Sequence, residues 1–274
     1  TLTLLTACTQ ASSQSATKNN TAQTTATSTS KNKTNNSNYF TDKDKDSSYD
    51  ESKASTVKLS GSSANVSGDG VAVSGSTVTI SKAGTYVISG ESDGVQIKVE
   101  AGDSDDVHIV LKGVTMTNTN APISATKAGH VYLTLADGTT NTLSDSSSNN
   151  DEDADAVIFS KGDLTINGSG TLNIDAKKNN GIKANDTLHI TGGTYKITAV
   201  GDAFNVNDEL NITGTTMTID ADEDAVKVDN DEDTSVGTMY LSDNKMTITA
   251  GDDGIHASGD LIIDSGTYKV TESV

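Results

Sequence analysis

Seven acid or amide residues recur along this chain, each followed by a small residue and then an apolar stretch. They are Asp93-Gly94-Val95, Asn120-Ala121-Pro122, Asp155-Ala156-Val157, Asn180-Gly181-Ile182, Asp202-Ala203-Phe204, Asp224-Ala225-Val226 and Asp253-Gly254-Ile255. Such side chains, brought together, present hard oxygen ligands to a divalent cation. Ca2+ takes about six to eight oxygens at roughly 2.3–2.6 Å. The copies lie 27, 35, 25, 22, 22 and 29 residues apart by subtraction. Coils stacked at about 4.8 Å would bring them into one column. A column of carboxylates repels itself unless a cation sits within it.

Further carboxylates flank this column. Asp151-Glu152-Asp153-Ala154-Asp155 and Asp229-Asn230-Asp231-Glu232-Asp233 both read Asp-x-Asp-x-Asp, and Asp222-Glu223-Asp224 and Asp252-Asp253 fall at the repeated corner. The expected Ca2+ ligands are therefore Asp151, Asp153, Asp155, Asn180, Asp202, Asp222, Asp224, Asp229, Asp231, Asp233, Asp252 and Asp253. The loops are not EF-hands, because Ala156 and Thr234 replace the glycine at the sixth position. The competing reading is that Asp suits turns by bonding its own backbone. His108, His130, His189 and His256 are scattered, which disfavours zinc and copper.

Strands must position these residues. Residues 181–202 divide into Gly181-Ile-Lys-Ala, Leu188-His-Ile and Thr194-Tyr-Lys-Ile-Thr, separated by turns at Asn185-Asp186 and Gly192-Gly193. The pattern recurs as Phe204-Asn-Val, Leu210-Asn-Ile and Thr216-Met-Thr-Ile, and again as Gly254-Ile-His-Ala, Leu261-Ile-Ile and Thr267-Tyr-Lys-Val. Strands this short bury little within one repeat and become stable only by stacking. The predicted fold is all-β: a right-handed parallel β-helix of about seven coils with three short strands each. Short Gly-punctuated runs at Val71, Val78 and Tyr86 predict an N-terminal β cap. An antiparallel sandwich is the structural alternative, but it leaves the repeat unexplained.

Alternation assigns faces. Ile182, Phe204, Val226 and Ile255 point inward, so Lys183, Asn205, Lys227 and His256 form one outward column, the candidate carbohydrate-contacting residues. Tyr195 and Tyr268 fall on the inward phase and are assigned to the core rather than to a sugar-stacking platform.

Composition narrows the partners. The 274 residues carry 38 Asp plus Glu against 19 Lys plus Arg, for a net charge of −19, and every basic residue is a lysine. That balance excludes nucleic acid, and it excludes attraction to anionic lipid. Leu5-Thr6-Ala7-Cys8 resembles a bacterial lipobox, making residues 1–8 the remnant of a trimmed signal peptide and Cys8 the lipidated residue. Residues 9–55 read as a disordered Ser/Thr/Asn-rich tether, in which Tyr39-Phe40 is an incidental exposed pair and Asp42–Asp46 a solvated run. Residues 56–274 form the β domain. The expected protein is an extracellular monomer touching the membrane only through its lipid anchor.

Gly84-Thr-Tyr-Val-Ile-Ser-Gly90, Val107-His-Ile-Val-Leu-Lys-Gly-Val-Thr-Met-Thr-Asn118, Ala156-Val-Ile-Phe-Ser-Lys-Gly-Asp-Leu-Thr-Ile-Asn-Gly, Asn180-Gly-Ile-Lys and Gly251-Asp-Asp-Gly-Ile-His256 together resemble the bacterial carbohydrate-binding β-helix family described from a cellulose-degrading clostridial organism. The resemblance covers about Val57 to Val274. It implies a fold like that of polysaccharide lyases, Ca2+ in the coil corners at Asp155, Asp202, Asp222, Asp224, Asp252 and Asp253, and binding of cellulosic or pectic polysaccharide without cleavage. Two alternatives stand beside it. A pectate-lyase-like enzyme would use Ca2+ and a basic residue such as Lys183 or Lys227. A surface adhesin or scaffold would take a protein or host glycan.

Overall fold

The computed structural model describes residues 23–29, 38–233 and 235–272. Cys8, and residues 9–22 and 30–37 of the expected tether, lie outside the described residues. Apart from one short helix, the described residues are all-β, a solenoid in which parallel strands stack in register.

Three faces recur along the stack. The first runs through Gln96–Glu100, Ile123–Lys127, Ala156–Ser160, Asn180–Ala184, Phe204–Val206, Val226–Val228 and His256–Ala257. The second runs through His130–Leu135, Leu164–Gly168, Thr187–Thr191, Glu209–Thr213, Thr238–Ser242 and Leu261–Ile263. The third runs through Thr140–Ser144, Thr171–Ala176, Thr194–Ala199, Thr216–Ala221, Asn244–Ala250 and Ser265–Glu272.

The three strands of each coil do not make three separate sheets. The second and third faces belong to one hydrogen-bonded sheet and the first face to another. Two long strands, Gly84–Asp93 and Asp106–Thr117, run round the corner and join the two faces. Gly90 and Gly113, at φ of 95° and 71°, allow the bend, and the pairing shifts register between Ile88 and Gly90. At the N-terminal side, Ser55–Gly61 pairs antiparallel with Ser63–Ser67, and Val71–Ser74 pairs antiparallel with Thr77–Ile80. At the other end, Gln23–Thr29 pairs antiparallel along Ser265–Glu272.

Alternation fills the interior with in-register columns. Leu164, Leu188, Leu210, Met239 and Leu261 line up on the second face, so Met239-Tyr240-Leu241 is a repeat copy that the Leu-x-Ile pattern conceals. On the third face Leu172, Tyr195, Met217, Met246 and Tyr268 align. Tyr195 and Tyr268 are buried, as their phase requires. The close stacking excludes even a methyl group at some corners. A Cβ on Gly251 would lie 1.9 Å from the carbonyl oxygen of Asp222 in the preceding coil. Gly251→Ala should therefore lower stability by about 1–3 kcal/mol through forced backbone displacement, read as a lower thermal midpoint.

Residues 38–54 depart most from expectation. They form an ordered strap across the outward side of the second face. Tyr39 stacks on Tyr240 with ring centroids 3.7 Å apart and planes 5° from parallel, and Phe40 is buried edge-on against His189 and Tyr240. Asp42–Lys45 makes one helical turn closed by a capping box, in which the Asp44 amide donates to Thr41 Oγ1 and the Thr41 amide to Asp44 Oδ2. Further along, Tyr49 and Ala54 cover Val87, Val110 and Ala136. The aromatic pair and the charged run are thus seated on the sheet, because the sheet's outward ladder offers rings and hydrogen-bonding groups that match them.

Candidate functional site

The first-face corner brings together five of the recurring residues. Asn180 Oδ1 accepts the amide of Asp202 at 3.0 Å, Asp202 Oδ1 that of Asp224 at 2.9 Å, and Asp224 Oδ1 that of Asp253 at 2.8 Å. Asn180 Nδ2 donates back to Asp155. From Asn180 to Asp224 the column is a ladder in which each side chain receives the N–H of its counterpart one coil on, whereas the Asn180 N–H goes to the Asp155 carbonyl. Asp93 and Asn120 do not extend it: Asp93 Oδ1 accepts from Thr117 Oγ1, and the Asn120 amide bonds Asn118 Oδ1.

The outward column stands beside the ladder in the expected register, Lys183, Asn205, Lys227 and His256. Each of these side chains turns toward an acid of the ladder. Lys183 Nζ lies 2.7 Å from Asp155 Oδ1, and Asn205 Nδ2 donates to Asp202 Oδ2 at 2.6 Å. Lys227 Nζ lies 3.2 Å from Asp224 and 3.9 Å from Asp202, and His256 Nδ1 lies 3.2 Å from Asp253 Oδ2. Burial raises the Asp202 pKa above its ordinary 3.8, against the pull of Asn205 and Lys227. Burial works against the charge on Lys227, but Asp202 and then Asp224 outweigh it and raise its pKa above 10.5. Lys227 is held as an ammonium.

The two Asp-x-Asp-x-Asp loops close as side chain-to-backbone turns. Asp151 Oδ1 accepts the amides of Asp153 and Ala154, seating Ala154 over Phe159 and Ala121. Asn230 Oδ1 accepts the amides of Glu232 and Asp233, and Asp233 Oδ1 accepts the amide and the hydroxyl of Ser235. Asp229 is partly buried, while Asp153, Asp231 and Asp233 are exposed, as are Asp222 and Asp252 at the corner.

Tested as a calcium site, the corner does not fit a protein-only cage. A Ca2+ ion needs about six to eight converging oxygens. Here Asp202 and Asp224 each commit one oxygen to a backbone amide and the other to Asn205 or Lys227, while Asp253 Oδ2 faces the His256 imidazole. Among the described residues, no three His, Cys, Asp or Glu side chains come together as a metal group would require. The mutual repulsion that pointed to a cation is relieved by hydrogen bonds and by Lys183 and Lys227.

A second polar cluster lies under the strap. His108, Tyr132, Thr165, His189, Asn211 and Tyr240 form the outward ladder of the second face. Asp44 is buried there, its Oδ1 accepting from Thr165 Oγ1 at 2.6 Å and its Oδ2 lying 3.2 Å from His189 Nδ1. Burial opposes charge on both partners. The imidazole and the Thr165 and Thr41 hydroxyls nevertheless hold the Asp44 carboxyl well below the usual carboxylate range. Asp44 and then Glu209 lift His189 to about 9. The sequence signal was present in Thr41-x-x-Asp44 directly after an aromatic pair, a helix-start pattern.

A family model described as "Carbohydrate-binding domain-containing protein" matches residues 74–273. The chain belongs to that family. A carbohydrate-binding domain-containing protein of Acetivibrio thermocellus is 36% identical over 126 residues, covering 44% of each chain, so the match spans under half of that relative's length. A solved structure described as the polysaccharide lyase-like protein from C. thermocellum, a gadolinium derivative, superposes with a TM-score of 0.71 at 31% identity, covering 79% of this chain and 94% of that one. The region matched by the carbohydrate-binding family takes in the whole acid ladder, Asp155 to Asp253, and leaves the strap outside it.

Proposed function

We propose that this protein is a non-catalytic polysaccharide-binding module on a right-handed parallel β-helix, with the two N-terminal hairpins as its cap. Membership of a carbohydrate-binding domain family, together with likeness to a polysaccharide lyase-like structure, supports a glycan partner. The observation that carries the non-catalytic reading is the state of the lysines. A lyase base must accept a proton near neutral pH, whereas Lys227 is bound between two aspartates with its pKa raised and Lys183 is paired with Asp155. They act as counter-charges to the ladder.

The proposal extends to an acidic or cellulosic glycan and to a lipid-anchored bacterial surface protein, tethered through Cys8 and monomeric. Calcium enters as an ion shared with an acidic glycan, drawn by exposed carboxylates such as Asp222 and Asp252 that the ladder does not use.

Titration with cello-oligosaccharides and oligogalacturonates, each in Ca2+ and in EGTA, tests the reading. Saturable binding without product formation is the expected result. An unsaturated product absorbing near ~235 nm, from the proton abstraction a lyase performs, would replace it with the lyase reading. Binding to no polysaccharide at all would leave the adhesin or scaffold reading.

A further inference from the structure

Where the strap leaves the second face, the two enclose a cleft of about 230 Å3. Lys43, Asp46 and Ser48 form its strap wall, and Thr85, Asp106, His108 and Tyr132 its sheet wall. Its volume is below the roughly 300–1,000 Å3 of drug-sized sites, a size for one small polar unit rather than a length of chain.

The hydrogen-bonding capacity of the cleft can be worked out atom by atom. Asn167 Nδ2 donates to the carbonyls of Asp44 and Asp46, so its Oδ1 is the acceptor of the Thr134 hydroxyl proton. The Thr134 oxygen therefore accepts from His108 Nε2 at 2.8 Å. That fixes the proton on Nε2 and leaves Nδ1 as an acceptor on the far side of the ring. Burial lowers the His108 pKa below 6.5, so the ring is neutral. Lys43 sits 4.5 Å over the Tyr132 ring and is anchored by Asp106, while His130 stacks on Tyr132 at 4.1 Å. Lys43 and His130 thus both engage the Tyr132 ring. Asp106 pairs with the Lys43 ammonium, Asp46 Oδ1 accepts the Ser48 amide at 3.0 Å, and Ser48 and Thr85 add hydroxyls to the lining.

We infer that this cleft is a subsite for a single neutral hexopyranose unit, recognised through its hydroxyls. Carboxylates and a neutral imidazole accept from sugar hydroxyls, and Lys43, Ser48 and Thr85 donate to them. A uronate carboxylate would meet Asp46 and Asp106 and be repelled. The inference rests on the polysaccharide-binding reading and narrows it to neutral glycan at this position. It also gives the strap a role in binding, since three of the eight residues lining the cleft belong to it.

Calorimetric titration with cellotetraose and with tetragalacturonate tests it on the full chain, its Asp46→Asn, Ser48→Ala and Thr85→Val variants, and Lys227→Met as a control outside the cleft. Asp46 and Ser48 are exposed, and Thr85 lies on the sheet wall, so at least one wall can be altered with the strap in place. The expected result is cellotetraose binding weakened about tenfold or more by each cleft variant, equivalent to about 1.4 kcal/mol, and unchanged in Lys227→Met. Cleft variants that bind cellotetraose like the parent would overturn the subsite while leaving glycan binding intact. Binding of tetragalacturonate alone would overturn it too. A parent that binds neither sugar would overturn both the subsite and the proposed function.

Discussion

Asp202→Ala should destabilise the solenoid by about 1–3 kcal/mol, while Asp202→Asn should stay close to the parent or exceed it. The ladder needs an acceptor at Oδ1 for the buried Asp224 amide, and alanine supplies none. Asparagine does, as Asn180 shows one coil earlier, where it accepts the Asp202 amide in the same way. Charge at position 202 works against folding. Burial holds its pKa above the ordinary 3.8, so the stability linked to its protonation is complete below that value and is lost as pH rises through the folded one. Asp202→Asn avoids this loss, and its advantage should shrink as the solution is acidified toward about pH 4. A cation cage predicts that Asn falls well below the parent, as Ala does, because an amide is a poorer ligand than a carboxylate. Thermal melts of both variants in Ca2+ and in EGTA decide between them. Equal damage from Ala and Asn, with loss of a calcium-induced gain in Tm, would sink the ladder.

The second large effect is local. Asp44→Asn removes the charge from a carboxylate buried between Thr165 and His189. Removing one partner of a buried ion pair costs about 3–5 kcal/mol, and here the loss falls on seating of the strap. The solenoid should keep its main melting transition while residues 38–54 become open to protease. The His189 resonance should titrate below the parent's 9, because Glu209 alone then opposes burial. In the parent, the His189 contribution is complete below 6.5 and is lost as pH rises through about 9. The Asp44 contribution is complete above 3.8 and is lost on strong acidification. Strap cleavage should therefore be slowest between these limits and rise above pH 9. An unchanged His189 titration in the variant would remove Asp44 from this account.

What the sequence disclosed and what it concealed follow from the range of the interactions. Ile182, Phe204 and Val226 announce the inward phase, and Lys183, Asn205, Lys227 and His256 the outward column, because alternation is a property of neighbours. The recurrence of Asp202 and Asp224 at one coil's interval puts them at one corner, and they are found there. The destination of their second oxygens was not readable. Whether Asp224 turns to a metal or to Lys227 depends on side-chain direction across coils, which periodicity does not encode. The strap was missed for a different reason. Its hydrophilic composition reads as linker, yet Phe40 and Asp44 are each buried by residues more than a hundred positions away.

That separation orders the birth of the molecule. Asp44 bonds Thr165 across 121 positions, and Tyr39 accepts from Asn211 across 172, whereas ladder contacts such as Asp202 with Asp224 span 22. Synthesis runs from the N-terminus, so Tyr39 and Phe40 emerge well before the surface that shelters them exists. Closing such long loops carries an entropic cost with nothing yet formed to offset it. The coils must wind first, each templating the next, and the early segment waits as a sticky, unshielded stretch until its landing strip is complete.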